Sequence, residues 1–98
     1  MAFSELARGV LEKYIDEVIK DIPEMMSLLR EKGVKDTLQF KSEEDFLFGA
    51  AYGRIIIGYT HLFYQIFGRD IDFNERHEMD SILVKRMREI KNAIMNTG

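Results

Sequence analysis

Arg54, His61 and Gln65 are the strongly polar side chains in an otherwise apolar run from Phe46 to Phe67. An α-helix turns about 100° per residue, so Arg54 and His61, seven positions apart, stand about 20° from each other, and Gln65 follows one turn along the same line. A histidine gives or takes a proton near neutral pH, and an arginine holds an anion through its fork of N–H groups. Together on one face they are the parts of a metal-free acid–base site acting on a charged substrate. The plainer reading makes this line the place where the helix meets water or a polar interface, with Arg54, His61 and Gln65 as surface or binding groups.

Arg54-Ile55-Ile56-Ile57-Gly58-Tyr59-Thr60-His61 sets six residues between the arginine and the histidine. This spacing resembles the ribonuclease motif of the HEPN family of small helical-bundle dimers. The resemblance covers these eight residues and the all-α class, and Ile55 stands where that family usually has a polar residue. It implies a metal-independent ribonuclease with His61 as general acid or base for attack by a ribose 2′-hydroxyl. Arg54 would hold the phosphate.

Other chemistry-bearing groups read as structural. Carboxylates gather at Glu43-Glu44-Asp45 and at Glu75, Glu78 and Asp80, with His77 nearby. A ferritin-like di-metal site needs a glutamate three residues before a histidine, but Asn74 precedes His77 and Gly58 precedes His61 at that spacing. Both clusters fall in or near first helical turns, where the helix dipole stabilises acids. No metal and no cofactor are expected. Lys85, Arg86, Arg88 and Lys91 form a basic cluster, but they occupy late helical turns, where the dipole stabilises cations. Tyr52, Tyr59 and Phe63 are spaced as a core stripe rather than as a stacking platform for bases.

The elements that must carry these groups are helices. Phe3, Leu6, Val10, Leu11, Tyr14, Ile15, Val18 and Ile22 recur at three- and four-residue steps and predict a first helix over 3–22. Its charged face offers Arg8 with Glu12, Lys13 with Glu17 and Asp16 with Lys20 as pairs four apart. Asp21-Ile22-Pro23-Glu24 reads as a break and restart, followed by a short second helix that stops near Gly33. Residues 34–41 read as a loop that tucks Leu38 and Phe40 into the core. Ser42 caps a third helix that runs to Phe67 and ends at Gly68. Asp72 with Glu75 caps a fourth, whose stripe is Met79, Ile82, Leu83, Met87, Ile90 and Ile94. Gly49, Gly53 and Gly58 each cost roughly 1 kcal/mol in a helix interior, which predicts close approach by a neighbouring backbone.

The expected fold is therefore all-α: a single domain, a small four-helix bundle in which helices one, two and four wrap a buried central third helix. A chain of 98 residues removes roughly 65% of its unfolded surface from water, so the core is thin and a homodimer is expected to complete it. The third helix is long enough to span a bilayer, but Arg54 at its middle would cost about 2.5–3.5 kcal/mol there, so no membrane is expected. A net charge of −3 gives no general attraction to nucleic acid, and from the lack of cysteine and of a signal-like start a cytoplasmic location is expected. Most special residues serve caps, stops and core. The expected function is thus a non-enzymatic interaction or assembly module, with an unidentified protein or a second copy as partner and the ribonuclease as the alternative.

Overall fold

The computed structural model describes residues 3–97. The chain is all-α, with α1 over Glu5–Leu29, α2 over Val34–Leu38, α3 over Glu43–Phe67 and α4 over Phe73–Asn96. The three long helices pack against one another, and the five-residue α2 sits against α1 alone. The described chain measures 45 × 23 × 18 Å, so its long axis follows the helices.

Helix boundaries follow local hydrogen bonding. Ser4 caps α1 by accepting from the Ala7 N–H at 3.1 Å, and Ser42 does the same for Asp45. At α4 the capping box is complete: Asp72 accepts from the Glu75 N–H at 2.8 Å, and Glu75 accepts from the Asp72 N–H at 3.0 Å. Gly68, at φ 69°, closes α3 by donating to the Tyr64 carbonyl. The first helix begins at Glu5 rather than Phe3, and Phe3 is buried ahead of the cap.

The break predicted at Asp21–Glu24 does not occur, because α1 runs straight through Pro23. A proline inside a helix costs about 3 kcal/mol. Beyond it, however, Met26 and Leu29 continue the buried row of Leu11, Ile15, Val18 and Ile22. Burying two such side chains returns about 1.5–3 kcal/mol each, which offsets the proline. Nor do residues 34–41 form a loop throughout. Gly33, at φ 87°, leads into α2, and the Thr37 hydroxyl donates to the Gly33 carbonyl. Phe40 is half-buried and stacks on Phe46 with ring centres 4.6 Å apart, whereas Leu38 is exposed.

The wrapped central helix is also corrected. α3 buries one stripe, Leu47, Ala51, Ile55, Tyr59 and Phe63, against α1 and α4. Its opposite side carries Ile57 and Tyr64 in the open and Phe46 partly covered by Phe40, because α2 is too short and lies elsewhere. Of the three glycines only Gly58 meets a neighbour: a Cβ there would fall on the Tyr14 phenol. At Gly49 and Gly53 a Cβ would meet open space, so the close contact expected at Gly53 is absent within the chain.

Replacing Pro23 with alanine tests the continuous helix. Restoring the missing N–H should raise stability by about 1–3 kcal/mol and with it the melting temperature. If Pro23 instead opened a second helix, where it is favoured, the same change would be neutral or destabilising.

Candidate functional site

Arg54 lies on the flank of α3 that faces α1. Its Nη2 donates to Asp21 Oδ2 at 2.9 Å and its Nη1 points at the Met25 sulfur at 3.8 Å. The Tyr14 hydroxyl donates to the Arg54 carbonyl at 3.5 Å. The hydrogen bond it donates to Asp21 holds the Arg54 proton more firmly than usual, against the opposing pull of desolvation. Asp21, expected to cap a second helix, is thus an ion-pair partner between helices. The recess beside this pair, about 170 Å³, is lined by Asp21, Glu24, Met25, Leu28 and Arg54. Two carboxylates against one guanidinium make it a poor place for an anion.

His61 and Gln65 are both exposed, and their side chains make no hydrogen bond among the described residues. His61 stands about 10 Å along the helix axis from Arg54. The three residues share the line that the spacing predicts, yet nothing folds over it to bring them together. Within one chain they form a row rather than a pocket.

Several other charged groups are engaged by partners within the chain. Arg86 reaches Glu12, Asp16 and Glu89 and also donates to the Glu12 carbonyl, tying α4 to α1. Desolvation acts to lower its pKa, but the bonds to Asp16 and Glu89 outweigh that and raise it. Lys91 lies over the Phe48 ring, 5.2 Å from its centre. The basic cluster on α4 is thereby partly consumed by structure. Arg8 pairs with Glu78 across α1 and α4 instead of with Glu12 on its own helix. Glu78, Asp80 and Glu75 turn to Arg8, Arg76 and Arg69 respectively, three separate partners. Among the described residues no group of three His, Cys, Asp or Glu is placed to hold a metal ion. No helix among them is long and apolar enough to cross a membrane.

The feature missed from sequence is the outer face of α3. Phe46, Ala50, Gly53, Ile57, Thr60 and Tyr64 follow one another at steps of four and three, which sets them on one side of a helix. Ile57 is 74% exposed and Tyr64 54%. Beside this row, Thr60 shares a recess with Ile71, Phe73 and Arg76, and Phe73 is 84% exposed. The signal was present as a heptad spacing superposed on the four-step spacing of the buried stripe. No family model, curated protein or solved structure matches the chain.

Glu75 gives this end of the molecule a pH dependence. It is 2% exposed, and its two oxygens take Arg69 Nη1 at 2.7 Å and Nη2 at 2.9 Å. The Arg69 bond, with help from the Asp72 backbone and against desolvation, holds its carboxyl below the usual glutamate value. A depressed carboxylate adds stability above its unfolded pKa and loses it as pH falls through the folded one. Glu75→Gln should therefore destabilise the protein by about 1–2 kcal/mol at pH 7, since Arg69 is half exposed. In urea melts across pH the gap between the two proteins should close below about pH 4.

Proposed function

We propose that this chain is a small non-enzymatic interaction module that docks protein through the outer face of α3. The observation that carries the reading is the exposed pair Ile57 and Tyr64, with Phe46 partly covered by Phe40 at the start of the same row and Gly49, Ala50 and Gly53 set among them. Monomeric proteins seldom leave an ordered apolar strip to water, and such strips mark contact sites. A knobbed helix face with hollows between its large residues fits a second helix. Self-association through this face, the homodimer expected from the thin core, is part of the same proposal, as is the cytoplasmic setting expected from the sequence.

The alternative is the metal-independent ribonuclease using Arg54 and His61. It draws on one observation, the shared flank on which His61 is open to solvent. Against it, Asp21 occupies the guanidinium that would have to bind phosphate. Purified protein incubated with RNA in EDTA should leave the RNA intact. Cleavage that disappears in both His61→Ala and Arg54→Ala, with DNA untouched, would favour the ribonuclease instead.

Ile57→Asp tests the module itself. Because Ile57 is mostly exposed within the chain, the variant should keep its helical circular dichroism and still unfold cooperatively. Tagged wild-type chain, offered cell extract together with a differently tagged copy of itself, should retain proteins that the variant does not. Identical retention by the two would remove the outer face of α3 as a docking surface.

A further inference from the structure

We infer that the occupant of this face is a second copy of the chain, lying antiparallel along α3 about a two-fold axis that passes level with residue 55. The inference rests on the reading of the outer face of α3 as an interaction surface.

The order of residue sizes along the row selects this occupant. A two-fold axis level with residue 55 sets Phe46 opposite Tyr64 of the other copy, Ala50 opposite Thr60 and Gly53 opposite Ile57. Each pairing then occurs twice. Ile57, the most exposed large side chain of the row, lands at Gly53, where even a Cβ would touch nothing within its own chain. Gly49 widens the same hollow. Large thus meets small at the Gly53–Ile57 level and small meets small at Ala50–Thr60, so the middle of the contact can pack densely, while two aromatic rings face each other at either end. A parallel copy in register would set Ile57 against Ile57 and Gly53 against Gly53, giving overpacking at one level and a void at the next.

Charge agrees with the direction. Glu43, Glu44 and Asp45 fill the first turn of α3, and a parallel pair would bring the two acidic turns side by side. The antiparallel pair separates them by about 37 Å, the length of a 25-residue helix, and opposes the two helix dipoles. Each acidic turn then lies toward the end of the other copy where Arg76 borders the recess beside Thr60.

The area is sufficient. A strip about 37 Å long and about 10 Å wide covers on the order of 700 Å² over the two copies. Phe73 stands exposed at the Thr60 end of each copy and would add roughly 150 Å² or more per ring, reaching the ~1,000 Å² of a specific interface.

Light scattering after size exclusion and thiol cross-linking test the arrangement together. Wild-type protein should scatter as twice 11.5 kDa, and Ile57→Asp as a monomer with unchanged helicity. The chain has no cysteine, so introduced thiols report position cleanly. Ala50→Cys and Thr60→Cys both keep small side chains in the row. Mixed and mildly oxidised, the two variants should form a disulfide-linked pair. Either one alone should not, because like positions lie about 15 Å apart along the axis, beyond the ~7 Å reach of a disulfide. Self-cross-linking of Ala50→Cys, or a dimer that survives Ile57→Asp, would overturn the antiparallel pairing. A monomeric wild type would overturn the second copy as occupant; if it still retained other proteins in an Ile57-dependent manner, the docking surface would stand without it.

Discussion

Tyr59 decides which way α3 faces. Its ring is fully enclosed, and a hydroxyl in that position must find a partner. It donates to the Ala7 carbonyl at 2.8 Å, joining positions 52 residues apart in sequence. Phe3 and Phe63 meet its ring edge-on, each with centres 6.1 Å away. Burial pushes the phenol well above its usual pKa, and the charge of Glu75 acts in the same direction, so the group remains a donor. With Tyr59 turned inward, Ala51, Ile55 and Phe63 follow it at four-residue steps. Ile57 and Tyr64 are then obliged to point away.

Around that fixed helix the ion pairs act as ties between elements rather than as chemistry. Arg54 with Asp21 joins α3 to α1, Arg86 with Glu12 and Asp16 joins α4 to α1, and Arg30 with Glu43 holds the end of α1 to the start of α3. Arg69 and Glu75 brace the turn between α3 and α4, where the Arg69 guanidinium also lies 5.1 Å from the centre of the Phe63 ring. Most of these pairs are half exposed and each stabilises by no more than about 1 kcal/mol. Their larger effect is on direction, since each fixes the rotation of one helix against another. Arg54, the polar group of α3 with the most binding potential, is engaged in this role, while the outer face of α3 stays largely apolar.

The caps and stops were legible because their causes are local. Ser42, Gly68 and the Asp72–Glu75 box act within four residues of where they stand. Pro23 and the segment 34–41 were misread for a related reason. The local preference at each was real, but burial of Met26 and Leu29 outweighed the first. In the second, the left-handed turn at Gly33 and the Thr37 hydroxyl supplied hydrogen bonds that strand-like alternation did not suggest. Among the candidate site residues, the common line of Arg54, His61 and Gln65 was legible, while the engagement of Arg54 by Asp21 was not.

The sequence by itself determined an all-α chain, its long helices and most of their ends, because backbone hydrogen bonds and apolar periodicity close over a few residues. It also held two apolar rows on α3, one at steps of four and one at alternating steps of four and three, with nothing local to rank them. Only the tertiary structure decided between them. The choice depends on residues far off in the chain: Ala7 accepting from Tyr59, Tyr14 filling the space above Gly58, and α1 and α4 together covering one side of the helix. Two long helices cover a third on one side only, so burying one row leaves the other facing outward.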